Sequence, residues 1–79
     1  MKKSLSGILK GKIYSFSISQ KGKRWVYFGK IFEITSEELF LEDTRLREFN
    51  ELYKGLINAP KVGFQVLKRK DIEVFSHYS

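Results

Sequence analysis

Lys21, Lys23 and Arg24 stand immediately before Trp25 and Tyr27 in the stretch SQKGKRWVYFGK, residues 19–30. Four of its twelve residues are basic and none is acidic. Cations of this kind neutralise phosphates without reading sequence. Exposed aromatic rings on a strand give bases a face to stack on. Lys68, Arg69 and Lys70 form a second basic turn near the end of the chain. Together these residues define a candidate site for RNA or single-stranded DNA. Trp25 and Tyr27 equally suit a hydrophobic core, where large rings bury most area. The cations equally suit the edge of a sheet, where lysine discourages aggregation.

Other chemistry has less support. His77 is the only histidine, there is no cysteine, and no Cys/His cluster with zinc spacing can be written. No serine lies in a G-x-S-x-G elbow, and neither a phosphate loop nor a G-x-G-x-x-G fingerprint occurs. Glu37–Glu38 and Glu42–Asp43 are adjacent pairs. Neighbours on a strand point to opposite faces, so neither pair converges on one atom. The expectation is a non-catalytic protein with no cofactor and no metal.

Charge is distributed unevenly. The net charge is +6, made of +8 over residues 1–30, −5 over 31–53 and +3 over 54–79. Basic ends around an acidic middle favour an oriented meeting with a polyanion. Aromatic content is high at 15%, which supplies rings for a core or a binding face. The start MKKSLSGILKGK has a basic lead, but its apolar part from Leu5 to Leu9 is interrupted by Ser6 and Gly7. No apolar run is long enough to span a bilayer. The chain reads as a soluble cytoplasmic protein without a membrane partner.

The elements that must hold these residues follow from periodicity. In KIYSFSIS, 12–19, Tyr14, Phe16 and Ile18 alternate with Ser15, Ser17 and Ser19, which marks a strand with one buried face. QKGKR reads as a hairpin loop, with Gly22 free to take positive φ. WVYFGKIFEI, 25–34, is a long second strand. Trp25, Tyr27 and Ile31 fall on one of its faces and Val26, Phe28, Phe32 and Ile34 on the other. Gly29 marks a bulge or bend.

Thr35 with Glu38 has the form of a helix capping box, yet Leu39 and Leu41 alternate with Phe40 as in a strand, the preferred reading. Over 44–57, Leu46, Phe49, Leu52, Tyr53, Leu56 and Ile57 recur at helical spacing, predicting an amphipathic helix stopped by Gly55, Asn58 and Pro60. VGFQVLK (62–68) and IEVF (72–75) complete five strands. The order is a short N-terminal helix or arm, then β, β, β, α, β, β. The predicted fold class is mainly β with one helix (α+β): a small five-stranded barrel with its helix between strands three and four. One domain spans residues 1–79.

LSGILKGKIYSFSIS, WVYFGKIFEITSEELFLED and GFQVLKRKDIEVFS are together similar to the Sm-like proteins, which share an SH3-like barrel. Leu39, Leu41 and Asp43 match that family's third-strand pattern. Val66, Leu67, Arg69, Asp71 and Ile72 match its last-strand region in part. The resemblance covers most of the chain outside 44–60. It implies RNA binding, with Arg69 stacking on a base, and homo-oligomers built by pairing edge strands. Ile34 and Glu38 occupy the positions of the family's uridine-contacting Asp and Asn, and Arg69–Lys70 replaces its Arg-Gly. A rival function is protein–protein assembly, with Leu46, Phe49 and Tyr53 of the helix as the interface.

Overall fold

Serine alternating with large apolar residues in the first strand forces one face inward, and the rest of the sheet is built on that face. The computed structural model describes residues 7–78. Five strands occur in chain order: β1 Ile13–Gln20, β2 Lys23–Ile34, β3 Glu38–Glu48, β4 Lys61–Lys68 and β5 Ile72–Tyr78. They form one antiparallel sheet with spatial order β4-β3-β2-β1-β5. A 3₁₀ turn, Phe49–Lys54, follows β3, and a shorter one, Arg69–Asp71, joins β4 to β5.

The sheet is curled. Its edges, β4 and β5, would lie about 19 Å apart across four flat strand spacings. The linker from Lys68 to Ile72 reaches at most about 14 Å. Leu67 and Ile72, one on each edge strand, accordingly meet in the same core as Phe16, Ile18, Tyr27, Ile31, Leu39 and Leu41. No ladder joins β4 to β5 among the described residues. Tyr14 extends this core to the N-terminal segment: its hydroxyl accepts from the Leu9 amide at 2.9 Å and donates to the Gly7 carbonyl at 3.1 Å.

The helix expected over 44–57 is absent. β3 continues through Glu48, with Leu46 opposite Tyr27 and Arg45 opposite Phe28. TRLRE alternates as well as it fits a helix; backbone pairing with β2 and contact of Leu46 with the core decide for strand. Only Phe49–Lys54 turns, as a 3₁₀ segment with no buried residue. Arg45 and Arg47 of β3 hold the β3–β4 connection. Arg45 Nη1 donates to the Ala59 carbonyl at 2.7 Å, and Arg47 donates to the Gly55 carbonyl and to Asn58 Oδ1.

Residues 35–38 turn a hairpin. Thr35 Oγ1 accepts from the Glu37 and Glu38 amides, the bonds of a capping box used in a turn. The preferred strand reading holds for Leu39–Asp43, inside β3. The N-terminal helix or arm falls partly outside the described residues; 7–12 are an irregular segment with turns at 7 and 10–11.

Two irregularities reshape β2. Register shifts between Phe28 and Lys30, where Asp43 of β3 takes a φ of 52°, and again between Ile31 and Glu33. The second shift leaves Phe32 as an extra residue and inverts the alternation beyond it. Ile34 therefore packs on the core, not beside Phe32 as the plain period-2 reading placed it. Gly29 is required by close approach: a Cβ there would lie 2.8 Å from Thr44 Oγ1.

Candidate nucleic-acid interface

The β1–β2 hairpin turns on Lys21 and Gly22, with φ of 51° and 81°, between the paired residues Gln20 and Lys23. Positive φ at both central positions is the two-residue turn whose twist matches the strands. Glycine meets that demand freely. Lysine does so against the clash of its Cβ, at about 1–2 kcal/mol.

Alternation along β2 then divides the sequence-predicted residues. Trp25 and Tyr27 face the core; Arg24 and Val26 line a hollow on the other face, and Phe28, outside the core cluster, is buried with its ring edge-on to Tyr78. Tyr27 is 8% exposed and belongs to the core, so its ring is not free to stack a base. Trp25 is half-buried: one side packs on the core and the rest opens to solvent. Gln20, Lys21, Lys23, Trp25 and Leu46 line a shallow hollow of about 400 Å³. No acid lines it, although Glu48 is Trp25's partner in the β2–β3 ladder. Among the described residues, neither Lys21 nor Lys23 is ion-paired. Arg24 leaves this group: its Nε lies 3.2 Å from Glu73 Oε1, and its guanidinium sits 5.2 Å over the Phe49 ring.

The second basic turn is a separate place. Lys68, Arg69 and Lys70 line a hollow with Ser36, Glu37 and Glu38, so acids sit among its cations. Arg69 Nη1 donates to the Thr35 carbonyl at 2.8 Å, and its backbone amide donates to the Glu37 carbonyl at 2.8 Å. That guanidinium ties the β4–β5 turn to the β2–β3 turn. Lys68 is opposite Glu38, at the other end of the β2–β3 ladder from Trp25 and Glu48. The two basic turns do not share a hollow.

The proposed protein-interface set does not assemble on a helix. Leu46 packs on the core, Phe49 lies under Arg24, and Tyr53 is 81% exposed with Lys54 Nζ 5.9 Å from its ring. His77 lies within β5, 5.2 Å from the Tyr14 ring, and no metal-ligand group of three occurs among the described residues.

Sequence reasoning missed one feature. Phe32, Phe40 and Phe64 meet on the outer face of β2, β3 and β4, with ring centroids 6.1 Å apart in each contact, beside exposed Val66. The signal was present in Leu39-Phe40-Leu41: two inward leucines on a strand leave the phenylalanine between them outward.

One carboxyl is clearly perturbed. Glu33 is held below the ordinary carboxylate value by its hydrogen bond with Lys10, then by that ammonium's charge; the two lie 2.9 Å apart. No protein-family model matches the chain, and no curated protein matches it.

Proposed function

We propose that this chain is a non-catalytic domain that binds RNA or other single-stranded nucleic acid through its β1–β2 hairpin, on a curled sheet of SH3-like, Sm-like barrel type. The observation that carries the reading is the hollow where Trp25 opens to solvent beside Lys21 and Lys23, cations without an ion pair among the described residues. One ring supplies a stacking face and two ammonium groups supply phosphate contacts. Lys21 adds support because it keeps a cation in a left-handed conformation that Asn or Gly adopts more easily. Lys68 and Lys70 act as outlying phosphate contacts; Arg24 and Arg69 act through the hairpin and turns they brace. The proposed setting is the cytoplasm, in keeping with a chain that has no cysteine.

Anisotropy of a labelled single-stranded RNA tests this. Lys21→Asn is expected to stabilise the fold by about 0.5–1 kcal/mol, by relieving the turn. It is also expected to weaken RNA binding. Binding unchanged by Lys21→Asn and by Lys23→Gln together would remove the hairpin from the site.

A second reading rests on the outer aromatic face. Phe32 and Phe64 are 55% and 56% exposed, and cross-strand pairs Lys30–Glu42 and Glu38–Lys68 flank them. That rim is charge-balanced on a chain of net charge +6, so a second copy of the same face meets it without repulsion. The reading is a homodimer. Phe64→Asp is expected to make the protein monomeric in sedimentation equilibrium while leaving it folded; a concentration-independent monomer in the parent protein would exclude the dimer.

A further inference from the structure

The two edges of the sheet are built differently. On β4, Gly63 takes a φ of 74°, the register with β3 shifts on both sides of it, and Lys61 and Lys68 stand at the strand's ends. Lysines and irregularities of this kind keep other strands off an edge. β5 lacks them beyond Glu73. Residues 74–78 pair with 13–17 of β1 in unbroken register and include no lysine, proline or glycine. Every second residue of such a strand turns its N–H and C=O away from its partner. Among the described residues, no strand pairs with that side of β5.

A groove runs along the outer face of the same strand. Two hollows, of about 310 and 420 Å³, lie between β5 and the connection that follows β3. Val74 and Ser76 border the first and Tyr78 the second; Leu56 lines both and so divides them. The charged side chains and the one amide of the lining are engaged within the chain. Arg24 is paired with Glu73, Lys54 lies 3.5 Å from Glu51, and Asn58 Oδ1 accepts from Arg47. Apart from serine hydroxyls, the groove presents apolar groups, with Ile57, Val74 and Tyr78 all exposed.

A bare strand edge beside an apolar groove suits an extended peptide. Its backbone continues the sheet, and its alternate side chains enter the hollows. From Val74 to Tyr78 a strand rises about 13 Å. Side chains four residues apart therefore reach the two hollows, and the one midway passes over Leu56. A second copy is a poor source of that strand. Its own β5 holds Tyr78 edge-on to Phe28, with ring centroids 4.8 Å apart, and stacks Phe75 on Phe16. Its β4 is interrupted at Gly63. We propose that the β5 edge binds, by strand addition, an extended peptide with large aliphatic residues at i and i+4 and a small residue at i+2.

The probe is the capped peptide Thr-Leu-Thr-Ala-Thr-Leu-Thr, titrated into the full chain labelled with ¹⁵N. Saturable shifts are expected at the amides of residues 74–78 and of Leu56, and every second amide of 74–78 gains protection from hydrogen exchange. N-methylation of one alternating set of the probe's amides is expected to abolish binding, while methylation of the other set is tolerated. Val74→Lys is expected to weaken binding about tenfold, through loss of one apolar contact, with Tm unchanged because Val74 is exposed. Shifts that never saturate, or that centre on Trp25 or on Phe32 and Phe64, would overturn the proposal. Equal tolerance of both methylated sets, or unchanged affinity in Val74→Lys, would do the same. So would protection of 74–78 in the protein alone that rises with its concentration, since the edge then belongs to a second copy. Should Val74→Lys fail to fold, Leu56→Asp, in the connection outside the sheet, decides in its place.

Discussion

Trp25 and Tyr27 lie two residues apart on the same strand face, and the structure gives them different work. Tyr27 fills the core, whereas Trp25 closes the core's end and remains open to solvent. Tyr27→Ala is therefore expected to destabilise by about 3–5 kcal/mol, as other buried aromatic truncations do, measured by urea denaturation. Trp25→Ala is expected to lose about 1–3 kcal/mol of RNA binding, the range for one stacked base. The shared face of these residues was legible from the period of two. Which ring is exposed was not, because that depends on Leu46 arriving from β3 and on where the hairpin ends. Glu33 gives a pH signature at the same scale. Its folded pKa is depressed, so the stabilisation from Lys10 is present above the ordinary value of 4.5 and is lost as pH falls through the depressed value. Lys10→Met is expected to return the Glu33 titration toward 4.5, read by carboxyl NMR.

At the scale of elements, β3 shows where pattern and structure part. Thr44-Arg45-Leu46-Arg47-Glu48 fits both a helix and a strand, and only the β2 ladder chooses between them. Far-UV circular dichroism is expected to show a sheet spectrum; a clear α-helical minimum pair would restore the helix over 44–57. β1 was legible throughout because its serines and apolar residues alternate without interruption. β2 was legible as far as Phe32; the bulge there then inverted the faces and sent Ile34 inward. Gly29 itself lies where β2 touches β3. Gly29→Ala is expected to destabilise by about 1–3 kcal/mol through overpacking against Thr44. Adding Thr44→Ala removes the nearest atom, so the double variant is expected to lose less than the two single losses combined. Strict additivity in denaturation would mean that the contact does not limit residue 29.

For the whole molecule, the curl of the sheet gathers the core inside and leaves distinct outer surfaces. The hairpin hollow is basic with one aromatic ring, the face of β2, β3 and β4 is aromatic with balanced charge, and the β4–β5 turn mixes acids with cations. The basic ends of the sequence do not become one basic face. Lys10 and Arg24 are ion-paired, and Arg69 is bound to a carbonyl. The charge split was legible in the sequence, but its partition depends on contacts between distant segments. The acidic middle is divided as well: its arginines hold the β3–β4 connection, and its Glu37 and Glu38 lie among the cations of the second turn.

The most direct measurement is a titration with mixed single-stranded RNA, followed by Trp25 emission and by anisotropy of the labelled RNA, at about 50 mM and about 200 mM salt. With Lys21 and Lys23 as the main phosphate contacts and Lys68 and Lys70 as outlying ones, emission is quenched on binding, and log affinity falls against log salt with a slope between about −1.4 and about −2.8. An affinity that does not change with salt, or no response of either signal to RNA, would contradict the account.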